Sequence, residues 1–250
     1  LGIRSAMRHI RTAPDRTERG VETWLENIRR VDVLVERAKI GNFTPTRPHP
    51  ALSEEAASAF TVDGMVVQPY YALDDRFLVD RLTEIVNGRG IKVVVETGTN
   101  EGKSTVEFCR MVLGVIGIDN NRTCLNETGR RLVESGRTNW LLLAGNSPDV
   151  LKEIEPSLPD ETLYFLDAHW QSYWPILDEI RAIRRGSGVI VMHDFRVPLH
   201  PEWGCDSYNG HDLDYDYVKD ALSEWSPSHR CEYNEEVEGS KRGVAFVFPS

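Results

Sequence analysis

From residue 91 onward the chain alternates short apolar runs with amphipathic stretches, and this alternation leaves few folds open. The runs are Ile91–Glu96, Val115–Asp119, Trp140–Ala144, Thr162–Asp167 and Gly188–His193. Helical spacing covers 103–113, 123–135, 147–154 and 174–185 between them. Strands that are apolar along their whole length need cover on both faces, which a parallel sheet receives from its crossover helices. A further helical stretch, Asp212–Trp225, precedes two closely spaced runs over 230–235 and 243–248 that read as an antiparallel pair. The expected fold is therefore α/β: a doubly wound, mostly parallel sheet with an antiparallel C-terminal edge.

The first 60 residues differ from this pattern. Trp24, Ile28, Val31 and Val35 recur at helical spacing, with Glu22, Glu26, Arg30 and Arg37 on other faces. Residues 42–50 hold three prolines in nine positions and read as a linker. The expected organisation is an N-terminal helical segment, 1–60, followed by the α/β domain, 61–250. Another helix is expected over Asp74–Val86, ended by Asn87-Gly88-Arg89-Gly90.

Charge narrows the partners. The chain carries 29 basic and 39 acidic residues, a net charge of −10, and residues 200–250 alone hold eleven acids against four bases. A protein that neutralises phosphates needs a basic stripe, so nucleic acid is excluded as the expected partner in favour of a small molecule. No apolar stretch is long enough to cross a membrane. The arginine-rich first twenty residues lack the apolar run of a secretory leader. Cys109, Cys124, Cys205 and Cys231 form no C-x-x-C pair or dense framework, as reduced thiols of a cytoplasmic protein would.

The segment Glu96-Thr97-Gly98-Thr99-Asn100-Glu101-Gly102-Lys103-Ser104-Thr105 follows the first apolar run. In an open α/β sheet a ligand lies beyond the carboxyl ends of the strands, beside this first strand–helix turn. Gly98 and Gly102 let the backbone approach that ligand. A phosphate-binding P-loop needs four residues between its glycine and Gly-Lys-Ser/Thr, and only three intervene here. The dinucleotide pattern G-x-G-x-x-G fails at Asn100 and Lys103. A nucleoside without phosphates and with a cationic arm, S-adenosylmethionine, suits an acid at the turn. Asp119 ends the second run 21 residues after Gly98, where an acid accepts ribose hydroxyls.

On these residues, span 91–195 resembles the core of class I S-adenosylmethionine-dependent methyltransferases, a Rossmann-like fold. Its E-x-G-x-x-x-G turn is similar to the first motif of the catechol O-methyltransferase group. The resemblance implies Glu96 and Gly98 near the methionine part, Asp119 on the ribose, and Asn146 and Ser147 near adenine. Thr99, Gly102, Ser104 and Asp167 complete the implied cofactor set. It also implies that the N-terminal helices cap the substrate. Read alone, Asn146-Ser147 is equally a helix start with Asn or Ser as N-cap, and the alternative for Asp119, a plain strand-end turn residue, is the weaker reading.

Polar groups also follow the fourth and fifth runs, as Asp167-Ala168-His169-Trp170 and His193-Asp194-Phe195. This arrangement resembles the metal-dependent small-molecule O-methyltransferases of the catechol and macrocin types. Carried over by position, Asp167, His193 and Asp194 fall on the metal-ligand sites. His169 falls where the macrocin-type D-G-D has its second acid, a general base. The departure from that pattern, Asp-Ala-His here, makes His169 the base candidate, since an imidazole titrates near neutrality. It leaves three readings of the metal: Mg, Mn or another ion favoured by an imidazole ligand, or none. Read alone, His169 and His193 are equally strand-end histidines bonding locally.

Trp170, Tyr173, Trp174, Trp203 and Tyr208 suit a planar phenol or the apolar face of a sugar, although Trp174 reads first as part of a helix face, with Ile176, Leu177, Ile180 and Ile183, packing on the sheet. The polar segment 200–212 reads as a substrate loop, with Glu202, Asp206 and His211 as extra candidate ligands. The expected activity is methyl transfer to a hydroxyl of a small molecule, a sugar or natural-product intermediate, with Asp167 and His169 catalytic. The rivals keep the fold for hydroxylation or hydrolysis, bind a dinucleotide, or serve as a non-catalytic module. The helix around Trp24–Val35 either caps its own site or packs on a second copy in a homo-oligomer.

Overall fold

The computed structural model describes two short strands, Phe60–Val62 and Met65–Val67, and residues 72–169 and 174–250. The expected N-terminal helix, the linker, Trp170 and Tyr173 lie outside the described residues.

Seven strands form one sheet: β1 (Val93–Thr97), β2 (Gly114–Asp119), β3 (Trp140–Ala144), β4 (Thr162–Leu166), β5 (Val189–His193), β6 (Arg230–Tyr233) and β7 (Val244–Phe248). Their order is β3-β2-β1-β4-β5-β7-β6. Strands β1 to β5 run parallel, and β7 pairs antiparallel with both β5 and β6. The chain winds outward from β1 in one direction and then returns to add β4 on the other side. β1 and β4 therefore flank the switch point, where an open α/β sheet binds its ligand.

Helices cover both faces. Val94, Val115, Leu163, Phe165, Val191 and Phe246 pack with α1 (Arg76–Arg89), α2 (Lys103–Met111) and α3 (Arg122–Glu134). Their strand neighbours Val93, Val95, Ile116, Tyr164, Ile190 and Val247 pack with α4 (Ser147–Ile154), α5 (Ile176–Ala182) and α6 (Tyr215–Trp225). The period of two sends alternate residues to opposite cores, which is why the runs are apolar throughout. Among the described residues no helix is long and apolar enough to cross a membrane.

Three boundaries differ most from the sequence reading. The helix expected to stop near Val86 continues to Arg89, because Gly90, at φ 64°, supplies the left-handed cap that Gly88 does not. The helix expected over 174–185 is shorter, since Ile183 is already extended. The last long helix starts at Tyr215 rather than Asp212, capped by the Asp214 carboxylate on the Tyr217 amide at 2.8 Å. Two short ribbons, Phe60–Val62 with Met65–Val67 and Ser207–Tyr208 with His211–Asp212, had no signal long enough to read.

Candidate active site

A cleft of about 370 Å³ opens at the carboxyl ends of β1 to β4. Gly98 and Asn100 line it after β1, Asp119, Asn121 and Cys124 from the end of β2 onward, Gly145 to Ser147 after β3, and Asp167 to His169 after β4. The sheet order thus brings five of the expected cofactor residues, Gly98, Asp119, Asn146, Ser147 and Asp167, to one wall together with the candidate base His169.

Asp119 is the anchor of this wall. Its Oδ1 accepts the Asn121 amide at 2.8 Å; its Oδ2 accepts the Asn100 amide at 3.0 Å and the Thr99 hydroxyl at 3.4 Å. Burial raises its pKa, while these donors pull the other way. Asn100 takes the left-handed conformation at φ 48°, which Asn tolerates better than most residues. Thr128 of α3 braces the same turn by donating to the Asn100 carbonyl at 3.1 Å.

Glu96, Thr99, Gly102 and Ser104, all expected on the cofactor, do not line the cleft. Glu96 points to the other side of β1, fully buried beneath the first turn of α2. Its carboxylate accepts the hydroxyls of Ser104 and of Thr105, the latter at 2.5 Å. Burial raises its pKa to about 8. Its work is to fasten α2 to β1, and the sign that separates this from a ligand contact is the pair of hydroxyl residues at the helix start. The glycines serve packing as well. A Cβ on Gly98 would lie 2.7 Å from the Asp167 carbonyl oxygen, and one on Gly102 would lie 2.6 Å from Thr128. Both have positive φ. At Gly102 it is the neighbouring chain, rather than a ligand, that requires glycine.

Asn146 stands at the N-cap position of α4 without capping it; its Nδ2 donates to Asp149 at 3.0 Å. Behind Ser147 lies Glu179 of α5, wholly buried. The hydroxyls of Ser147 and Thr97 face it, yet neither oxygen of its carboxyl reaches normal hydrogen-bond geometry. Burial raises its pKa to about 7.

The second group of expected residues lies beyond β4 and β5. His193 Nδ1 is 3.2 Å from Asp167 Oδ1 and 3.0 Å from Asp194 Oδ1. Burial disfavours the charged ring, but the two facing carboxylates outweigh it and raise its pKa to about 10. Asp194, at φ 59°, also accepts from Arg242 Nε. Burial opposes its charge as well, and His193 and Arg242 together hold it far below the usual carboxylate range. The same guanidinium donates through a terminal nitrogen to Asp206 at 2.5 Å. Arg242 escaped the sequence reading because it lies 48 residues from Asp194 and no local spacing marks it.

The structure therefore brings Asp167, His193 and Asp194 together as expected, with donor atoms within 4.8 Å of one another. A second trio, His169, Asp194 and Asp206, meets the same distance. The spacing would admit a divalent ion, but the pairing does not call for one. No buried side-chain atom of Asp167, His193, Asp194, Asp206 or Arg242 lacks a partner. The oxygen of Asp194 that would meet an ion already faces two donors.

No protein-family model and no curated protein matches the sequence. Solved structures do match. The O-methyltransferase TomG of Streptomyces achromogenes, involved in tomaymycin synthesis and solved with S-adenosylmethionine, is 17% identical over 88% of this chain and 96% of its own, with a TM-score of 0.54. An O-methyltransferase of Bacillus cereus in complex with S-adenosylhomocysteine is 18% identical over 92% of this chain and 100% of its own, with a TM-score of 0.52. A precorrin-6y C5,15-methyltransferase of Geobacter metallireducens is 13% identical over 75% and 96%, with a TM-score of 0.50. Identity this low carries the fold and not the acceptor. The chain has the Rossmann-like fold of the class I S-adenosylmethionine-dependent methyltransferases.

Proposed function

We propose that this chain is a cytoplasmic S-adenosylmethionine-dependent methyltransferase acting on a hydroxyl of a small molecule. The observation that carries the reading is the Asp119 carboxylate at the end of β2, facing the cleft at the sheet's switch point. Its Oδ1 keeps acceptor capacity beyond the Asn121 amide, as a ribose hydroxyl requires, while Oδ2 already accepts from Asn100 and Thr99. Asn146 and Ser147 bound the adenine side, and Gly98 and Asp167 the methionine side. The carboxylates of Asp119 and Asp167, in a wall without lysine or arginine, favour a sulfonium.

In the reaction the acceptor oxygen attacks the methyl carbon in line and a carbon–oxygen bond forms. The carbon–sulfur bond breaks, and its electron pair neutralises the sulfonium to leave S-adenosylhomocysteine. The acceptor's proton passes to the imidazole of His169, exposed at the cleft rim. Little else is demanded of the protein beyond alignment. The O-methyltransferases of Streptomyces achromogenes and Bacillus cereus support oxygen as acceptor. The acceptor proposed is a sugar or a natural-product intermediate; Trp174, buried in the core and stacked on Tyr217, belongs to the packing of α5 and α6 and does not face it.

Calorimetric titration with S-adenosylmethionine and S-adenosylhomocysteine tests the cofactor: micromolar binding is expected, and no binding of either sinks the proposal. With an acceptor in hand, His169→Asn should remove most turnover, roughly a hundredfold or more, and leave cofactor affinity unchanged. Turnover equal to wild type would discard His169 as the base.

A further inference from the structure

The acids at the ends of β4 and β5 raise a question that the cofactor cleft leaves open, namely what holds three carboxylates together. Asp167, Asp194 and Asp206 converge from β4, β5 and the loop after β5. Like charges at such spacing repel unless a cation lies among them. Two side chains fill that role. His193 reaches Asp167 and Asp194 through Nδ1, and Arg242 reaches Asp194 and Asp206 through Nε and a terminal nitrogen.

The backbone is shaped around this guanidinium. Gly204 has no Cβ; if it had one, that atom would lie 2.9 Å from both Cδ and Nη1 of Arg242. The Gly204 amide donates to the Lys241 carbonyl at 2.9 Å, and the Gly243 amide donates to the Gly204 carbonyl at 3.0 Å, so the segment leading into β7, which carries Arg242, and the loop carrying Asp206 are stitched together on either side of Arg242. The Asp206 amide in turn donates to the Asp194 carbonyl at 2.8 Å. Asp194 takes a left-handed conformation that costs energy for a residue with a Cβ and here aims its carboxylate at Nε.

We propose that Arg242 is a positioning residue that serves as the resident cation of this site, standing where a divalent ion would otherwise bind and fixing loop 204–213 over the acceptor side. Only the term acceptor side rests on the methyl-transfer reading. One guanidinium bridges two of the three carboxylates, Asp194 and Asp206, and the His193 ring bridges Asp194 and Asp167. A metal ion would have to share Asp194 with a guanidinium already in contact with its carboxylate.

The test is Mn²⁺ uptake by the full chain, read as loss of the free ion's paramagnetic resonance signal. Wild type should show no saturable uptake up to about 1 mM. Arg242→Met, which frees Asp194 and Asp206, should bind the ion roughly tenfold more tightly or better, and Arg242→Lys, which keeps the charge, should behave as wild type. A merely structural arginine would not produce that contrast. Backbone amides of 204–213 should exchange faster in Arg242→Met. Saturable micromolar uptake by wild type, lost in Asp167→Asn, would overturn the proposal, as would an Arg242→Met protein that takes up no more ion than wild type. If Arg242→Met does not fold, the wild-type titration still decides against the proposal or for it. S-adenosylmethionine binding by the same wild-type sample is a separate readout, whose failure would overturn methyl transfer and leave the manganese result standing.

Discussion

Asp119 holds two backbone amides and faces the cleft at the same time, so its substitutions separate turn stability from ligand affinity. Asp119→Asn keeps one carbonyl acceptor and loses the charge. Hydrogen bonds to charged groups are each worth about 1.5–3 kcal/mol. Loss of the ribose contacts should therefore weaken S-adenosylmethionine binding roughly tenfold to a hundredfold, as read by calorimetry. Asp119→Ala should do at least as much and also lower the melting temperature, because the Asn100 amide is then left without its acceptor. Affinity unchanged in both variants would remove Asp119 from the binding site. Asp119 was legible in the sequence because an acid closing a strand, one βα unit after a glycine turn, has a recognisable register. The placement of Glu96 away from the cleft was not legible for the complementary reason: the spacing of the turn marks the acid but not the face of β1 on which its side chain lies.

At the scale of elements, the ends of helices and strands carry more of the site than their middles. Asp75 caps α1 by accepting the Phe77 amide at 2.9 Å, and its second oxygen accepts the Glu238 amide at 3.2 Å from the β6–β7 connection. Replacing it with alanine removes a helix cap and an inter-element tie together. A loss of about 1–2 kcal/mol is expected in denaturant unfolding, with cofactor affinity unchanged because α1 does not reach the cleft. Gly98→Ala should show the opposite balance. Its Cβ would lie 2.7 Å from the Asp167 carbonyl oxygen at a φ of 77°, so the turn after β1 and the end of β4 must separate beside the cleft. Measurable loss of cofactor binding is expected along with the loss of stability. The periodic parts of these elements were legible, since burial on both faces writes itself as apolar runs. The ends were less so. Gly90 rather than Gly88 stops α1, because only the residue that adopts the left-handed conformation can do so, and composition does not distinguish the two. The clamp built by Arg242, Gly204 and Asp206 depends on segments that meet only after β7 has been inserted beside β5.

Across the whole molecule the buried ionisable groups bias stability in one direction along the pH axis. Glu96 and Glu179 are buried carboxyls whose pKa values rise from 4.5 to about 8 and about 7. Between 4.5 and those values the folded chain holds protons that the unfolded chain has released. Stability therefore falls as pH rises across that window. His193 acts in the same sense: its pKa is raised to about 10, so the stability it contributes is complete below 6.5 and is lost on passing through about 10. Asp194 opposes them only at the acid end, where its lowered pKa makes stability fall as the pH drops below its ordinary value. The melting temperature should accordingly be highest on the acid side of neutrality and decline steadily from about pH 6 to pH 9. Glu96→Gln keeps an amide oxygen for one hydroxyl of α2 and removes the group that must ionise. The variant's melting temperature should thus fall less than that of wild type over the same interval, and the two profiles should diverge most above pH 8. Calorimetric scans of both proteins through this range decide the matter. A wild-type melting temperature that rises from pH 6 to pH 9, or a variant profile parallel to it, would show that these carboxyls ionise in the folded protein at little cost, and that the space beneath the first turn of α2 is wetter than its packing indicates.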